Sequence, residues 1–353
     1  MMLLDRYISR SVLLGTVIAT FVLMTLFIFM FFVAELQHIN GNYTTLKAAE
    51  YSVLANMRVL RELFPMLALV GSLLGLGMLA NSNELTVMRA AGISVGRITW
   101  SVMKIGFWMM LFMILFSEIV VPISEQYAKQ MRAVALNQKV FVGGKAGLWM
   151  RDGNSYVNAR TVKSSERLQD VRIYSLDEAG KMLLTLHASY AQFEAGQWML
   201  YGVRETHFAE QGLTVESFEN KAWKSSLQPQ IVDVVSIAPI DLSLPELVKV
   251  ISHLQLNELN VQRHEVAFWS KIFLPISTAL MVFLAVPFVF GSLRSVAISQ
   301  RLLNGILVGI MFFLLNEGIT RMGVVYSFPA FLSAATPTFI VAIFAWYLFR
   351  RIR

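Results

Sequence analysis

Six long stretches with little or no charge are separated by short polar segments and by one wide polar interval. The stretches are Ser11 to Ala34, Leu63 to Asn83, Ile98 to Ser117 (broken only by Lys104), Ile272 to Leu293, Leu302 to Asn316 with an extension past Glu317 to about Thr320, and Met322 to Phe349. A helix that crosses a bilayer core needs about 20 predominantly apolar residues. The pattern therefore predicts six transmembrane helices, the last preceded by a short loop. The first stretch is too long for the core of a secretory signal, and no small-residue cleavage site follows it, so it reads as a retained span.

The interval from about 123 to 267 follows another period. It holds 15 Lys and Arg, and from about 139 to 240 apolar and polar residues alternate. Asp152-Gly153 separates GLWM from SYVNARTV, Asp177 to Gly180 separates VRIYSL from MLLTLHA, and Ala195-Gly196 precedes QWMLYGV. LTVESFENKAW continues with period two. Short antiparallel strands between turn signals predict a sandwich, a jelly roll or an open barrel. Pro239 and Pro245 close the domain, and Ser243-x-x-Glu246 forms a capping box that starts a helix leading back to the next span. The expected fold is a six-helix transmembrane domain with an inserted all-β, jelly-roll-like domain. Its segments are 1–122 with helices one to three, 123–267 with the β domain and helical connectors, and 268–353 with helices four to six.

Short-loop charges orient the chain. With the N-terminus inside, the inner pieces hold Arg6, Arg10, Arg89, Arg97, Arg294, Arg301, Arg350, Arg351 and Arg353, and the short outer loops hold Lys47, Arg58, Arg61 and Arg321. Nine against four predicts cytoplasmic termini and a β domain outside, in the periplasm if there is an outer membrane. Topology thus accounts for much of the formal charge of +7, and nothing supports a nucleic-acid partner.

Composition narrows the chemistry. The chain is 56% apolar and 15% charged, far from the roughly 25% charged residues of soluble domains, which excludes disorder and disfavours an ordinary cytosolic enzyme. With no cysteine there is no disulfide, thiolate metal site or Cys nucleophile. Gly144-Lys145 precedes Ala146 and Gly180-Lys181 precedes Met182, so neither completes a phosphate-binding loop. H-E-x-x-H and G-x-S-x-G are missing too. The five His show no metal-ligand spacing. No cofactor or metal is expected in this chain, and no ATP hydrolysis by it.

The turn between helices two and three, LGMLANSNELTVMRAAGIS at 76–94, is the most informative stretch. Asn81 can cap a short helix with Glu84 at its third position. Leu85, Met88 and Ala91/Gly92 recur on one face, Arg89 lies between them, and Gly92 and Gly96 let the chain turn out again. A short amphipathic helix at about 82–92 with an acid at its start suits a groove in a cytoplasmic partner. The plainer reading is an interfacial helix lying on lipid, which an anionic Glu84 opposes.

These residues resemble the coupling segment of the lipopolysaccharide-export ABC permeases, the LptF/LptG family. LDRYI at 4–8 resembles that family's N-terminal signature, GLWMRDGNSYV an early strand of its periplasmic jelly roll, and WSKIFLPISTALMVFLAVPFVFGSLRS at 269–295 its fourth helix and inner loop. The likeness runs along nearly the whole chain and is nearer to the G-type branch. It implies an inner-membrane subunit that pairs with a paralogous permease on a dimeric cytoplasmic ATPase, which binds the ATP and Mg. It also implies extraction of lipopolysaccharide from the outer leaflet onto a single-span periplasmic bridge protein. By resemblance, Glu84 would meet a basic residue of the ATPase, with Leu85, Met88 and Ala91 in its groove.

A rim for lipid phosphates needs cations. Arg58, Lys129 and Arg132 match positions that are basic in the G-type branch; Lys47 and Lys271 are weaker candidates, and Phe27, Phe31 and Phe64 are candidate cavity aromatics. The plainer readings are snorkelling cations and packing aromatics. The outer end of helix one carries Phe31, Glu35, Gln37 and His38 where relatives can carry lysines, which shifts phosphate contact to helices two and three. Glu317 and Arg321, four apart, can pair, and Lys104 can snorkel.

Three other classes compete. A lipoprotein-releasing or mechanotransmitting ABC subunit typically has four helices. A non-transporting envelope scaffold or anchor has no use for Glu84. A secondary transporter predicts an inverted repeat with broken midplane helices, and none is found.

Overall fold

A computed structural model describes residues 2–136, 148–152, 155–164, 166–177, 181–194, 196–209, 212–223, 225, 239–256, 259–291 and 298–351. The turn residues Gly153, Glu178 to Gly180 and Ala195, and the arginines Arg294 and Arg353, lie outside them. Two units form, residues 1–132 with 265–353, and residues 133–264.

Among the described residues, the first unit holds six helical spans long and apolar enough to cross a membrane. In chain order the helices are α1 (Met2–Glu35), α2 (Thr45–Asn81), the short α3 (Glu84–Ala90), α4 (Val95–Leu115), α5 (Val121–Ala135), then, beyond the β strands and a helix α6, α7 (Gln262–Phe290), α8 (Ile298–Val325) and α9 (Ala330–Arg350). Several run well past the apolar stretches, because helical hydrogen bonding continues where lipid ends. α2 starts at Thr45, capped by the Thr44 side chain, so Arg58 and Arg61 lie within a helix rather than a loop, and Arg61 is almost fully buried. α4 and α5 are joined by a π turn, Phe116–Val120, which ends just before Pro122. Proline has no N–H and its ring crowds the carbonyl four residues back, so one wider turn carries the helix past it.

Small residues set the packing. A side chain at Gly71 would strike the backbone of Thr16, and one at Gly15 or Gly75 would strike the other helix in the same way, so α1 and α2 touch backbone to backbone. Gly305 and Gly309 of α8 admit Leu73 and Met66 of α2, and Gly106 of α4 meets Val282 of α7. The Ser277 and Thr338 hydroxyls meet at 2.7 Å between α7 and α9. Leu69, Leu73, Leu76, Ile98, Val102, Met113, Met281 and Val282 form the core. By contrast, α1 leaves Phe21, Val22, Phe29 and Met30 exposed, as α8 does Leu307, Met311 and Leu314. Such faces suit lipid or another membrane chain.

The second unit carries the expected β domain as six antiparallel strands in chain order: β1 (Leu148–Asp152), β2 (Ser155–Ser164), β3 (Arg167–Leu176), β4 (Met182–Glu194), β5 (Gln197–Ala209) and β6 (Gly212–Trp223). Among the described strands this is an open meander, without the Greek-key exchange of a full jelly roll. Val157, Val171, Leu186, Leu200 and Val203 lie in its core. A crease interrupts strict alternation. Strand pairing is interrupted at the row Arg160, Asp170, Ser189, Gly202 and Glu219, and Asp170 and Gly202 there have positive φ (50° and 61°). The slip keeps apolar residues on one face on both sides of the bend. The capping box closes on Leu244–Leu256 (α6), where the Ser243 N–H and hydroxyl both donate to Glu246 Oε2.

Candidate functional site

The helix between α2 and α4 forms where the sequence predicts it, with different caps. Asn81 ends α2; Asn83 is the N-cap, in the left-handed region at φ 62° with no side-chain cap bond, and Glu84 is the first helical residue. Asn tolerates that conformation and an acid suits a helix N-terminus. Gly92 ends the helix at φ 85°, where its N–H donates to Arg89 and that of Ile93 to Met88, a Schellman closure. Gly96 lies in the first turn of α4 and makes no turn of its own.

Two hydroxyls hold the Glu84 carboxylate. Tyr7 of α1 donates to Oε2 at 2.6 Å, and Ser82 donates to Oε1 at 2.9 Å. The Tyr7 bond first, then that of Ser82, keeps the Glu84 carboxyl below its ordinary range. Both partners are neutral, so the negative charge remains. Part of the apolar stripe packs inward. Leu85 is 4% exposed and part of the bundle core, and Met88 packs against it. Two of the three residues expected to fill a partner's groove are thus used internally. Thr86, Val87, Arg89, Ala91 and Gly92 stay exposed. Asp5 of α1 accepts from Arg97 at 3.0 and 3.1 Å, from Lys104 at 2.6 Å and from Ser101, so Lys104 is ion-paired rather than merely snorkelling.

At the opposite end of the spans, the predicted rim cations have acidic or carbonyl partners of their own. Arg132 pairs with Glu35, the last residue of α1, and lies 5.3 Å over the Tyr51 ring. Tyr43 donates to the same Glu35 Oε1 at 3.0 Å; burial first, then that bond, raises the Tyr43 hydroxyl far above its ordinary range. Arg58 pairs with Glu62 at 3.0 Å and Lys129 with Glu125 at 3.0 Å, and both cations stay substantially exposed. Lys47 donates to the Asn42 carbonyl at 3.1 Å. Lys271 is not at a rim: it is 6% exposed, pairing with Glu118 at 2.8 Å. Phe64 is buried in the core, 5.7 Å from Phe112. Phe27 is half-buried beside the cluster of Leu63 and Leu67, and Phe31 is exposed. Glu317 and Arg321 pair on the surface at 2.6 Å.

In the sheet, Glu205, His207 and Glu216 bring ligand atoms within 4.8 Å of one another. Lys221 donates to the buried Glu205 and already supplies positive charge there. Asp170 gathers His187 at 2.7 Å, Arg160 at 3.5 Å and Arg172 at 3.8 Å.

Six spanning helices, a short helix with a free anionic end and an inserted antiparallel sheet define a polytopic membrane permease with a β domain. The profile of the lipopolysaccharide export system permease LptF/LptG family matches residues 6–351. The chain is 34% identical over 354 residues to the lipopolysaccharide export system permease protein LptG of Haemophilus influenzae, covering 99% of both chains. It is 33% identical over 355 residues to LptG of Escherichia coli K12, covering 99% of this chain and 98% of that one. The chain belongs to the LptF/LptG family of inner-membrane permeases, with LptG proteins as its relatives.

Proposed function

We propose that this chain is one of two permease subunits that lift lipopolysaccharide out of the outer leaflet of the inner membrane and pass it to a single-span periplasmic bridge protein, driven by a separate dimeric ATPase. In this reading both termini and α3 face the cytoplasm, the β domain faces the periplasm, and ATP and Mg are bound by the ATPase alone. The energetic need is plain. Each buried CH₂ is worth about 0.8 kcal/mol, so a multi-acyl lipid is held by tens of kcal/mol, roughly. Release needs an energy source outside this chain.

The observation that carries the reading is Glu84. It begins a short helix between two spans, keeps its charge, and is held by a hydroxyl from α1. A basic residue of the ATPase meeting Glu84 would push on α3 and, through Tyr7, on the end of α1. Arg58, Lys129 and Lys47 remain the candidates for lipid phosphates, in exchange with their own partners. Arg132 joins them only by giving up Glu35. Lipid crosslinking should fall in the combined Arg58, Lys129 and Arg132 charge-removal variant while the complex still assembles; unchanged crosslinking discards the rim.

The class is tested by purifying the tagged chain from its native membrane in mild detergent, with mass spectrometry of what accompanies it. A second six-helix permease, a phosphate-loop ATPase and a phosphorylated multi-acyl glycolipid are expected. Envelope proteins without an ATPase would point to a scaffold instead.

A further inference from the structure

The face of the sheet that turns away from its core carries a row of cations. Arg172 on β3 pairs in register with His187 on β4, and His187 with Arg204 on β5. All three are exposed, and each stands between two buried residues: Val171 and Ile173, Leu186 and Ala188, Val203 and Glu205. Strand alternation therefore turns the three side chains to the face opposite the core. Arg160, exposed on β2, lies beside them at the crease. We infer that this face binds the phosphorylated saccharide of the glycolipid proposed above as cargo, with Arg172 and Arg204 holding a phosphate. The inference rests on that reading and gives the sugar part of the cargo a site of its own.

Charge and shape favour that ligand. Among the described residues Asp170 is the one acid paired with these cations: it meets His187 at 2.7 Å, Arg160 at 3.5 Å and Arg172 at 3.8 Å. Three arginines against one aspartate leave the face positive, and Arg204 has no ion pair among the described residues. Neighbouring strands lie about 4.7–4.9 Å apart, so Arg172 and Arg204 start about 10 Å from each other across His187. Two long guanidinium side chains can converge on one phosphate from that span. Aromatic rings flank the row on both sides. Trp149 lies 5.9 Å from Tyr174, two residues along β3 from Arg172, with the ring planes 18° apart. Across the crease Tyr190 and Tyr201 stack at 4.6 Å. Tyr201 donates to Glu194 at 3.3 Å, which sets an acid on that side, so the sugar is assigned to Trp149 and Tyr174. A sugar ring can lay its C–H face on the electron-rich face of such a ring, which inorganic phosphate has no means to use.

The fold itself has no need of the row. These side chains lie outside the core, and Arg160 and Arg172 bring like charge together on neighbouring strands, which Asp170 offsets only in part. Asp170 stands in the left-handed region at φ 50°, which Asn also tolerates, so its charge can be removed without disturbing the backbone.

The test uses the full chain in phosphatidylcholine nanodiscs. The chain has no cysteine, so Ser217→Cys, opposite Arg204 on β6, takes a benzophenone maleimide as its sole label. The probe is deacylated lipopolysaccharide oligosaccharide, used with its phosphates and after their removal. Light should attach the phosphorylated probe at position 217. Arg172→Gln combined with Arg204→Gln should lower the adduct at least about tenfold, and so should removal of the phosphates, as the loss of charged hydrogen bonds implies. Asp170→Asn should raise it, a gain that an unfolded variant does not give. The adduct should survive combined charge removal at Arg58, Lys129 and Arg132, which separates this face from the proposed rim. An adduct indifferent to Arg172 and Arg204, or one suppressed by phosphatidylglycerol vesicles, overturns the inference, and the transport reading then stands on lipid crosslinking at the rim. A native complex that carries no phosphorylated glycolipid overturns the transport reading and the inference with it.

Discussion

The two ends of α1 each hold a glutamate, and the two are treated in opposite ways. Near its C-terminal end Glu35 is buried, paired with Arg132 and bonded by Tyr43. Beside its N-terminal end Glu84 is only part-buried and receives two neutral hydroxyls, from Tyr7 and Ser82. A guanidinium cancels the charge and turns the carboxylate into a fastening between helices. Hydroxyls orient the carboxylate and leave the charge for another molecule. The difference separates a residue that holds the fold from one that is available to a partner.

The comparison is broken most severely at the Glu35 fastening. Glu35→Ala leaves Arg132 and the Tyr43 hydroxyl without their acceptor, and should destabilise the purified protein by about 3 kcal/mol. A melting curve by tryptophan fluorescence reads this; a loss comparable to that of an exposed surface substitution would make Glu35 dispensable. Next comes the contact between the two ends. Gly71→Ala puts a methyl group against the Thr16 backbone and should cost about 1–3 kcal/mol, since backbone cannot yield as a flexible side chain does. Tyr7→Phe keeps the ring and loses one bond to an accessible carboxylate, so its effect on stability should be the smallest of the three. Its sharper signature is transport: ATPase should remain bound while lipid release per ATP declines.

The smallest effect is on pH. The folded-state value of the Glu84 carboxyl lies below its ordinary one, so the hydroxyl contacts favour the ionised form. Their contribution is complete above the ordinary carboxylate range, near pH 4.3 for Glu, and disappears as pH falls through the lowered value. The infrared carboxyl band lost in Glu84→Gln should protonate at a lower pH than a free glutamate, and Tyr7→Phe should raise that pH. A band insensitive to Tyr7→Phe would remove Tyr7 from the site.

Elements were more legible than contacts. Six apolar stretches gave six spans, and strict alternation located strands even though the crease at Asp170 and Gly202 breaks the period. Helix ends were misplaced because apolarity marks lipid, not helical hydrogen bonding, which continues through Arg58 and Lys129. The direction of Leu85 was missed for a related reason: an apolar stripe looks the same whether it faces its own bundle or a partner. The acids Asp5, Glu35 and Glu118 were the usable signal. An acid at the edge of an apolar span needs a partner, and each proved to face a cation about 90 or more residues away. Distances in sequence of that size carry no periodicity, so Tyr7 could not be assigned to Glu84 by spacing.

One paired measurement addresses the central claim. Glu84→Gln and Glu35→Gln are purified in parallel, and each is assayed for melting temperature and for ATPase retained per folded permease. Glu84→Gln should melt like the wild type and lose the ATPase. Glu35→Gln should melt earlier and retain it. Full ATPase retention by Glu84→Gln would contradict the claim that this carboxylate is the docking charge.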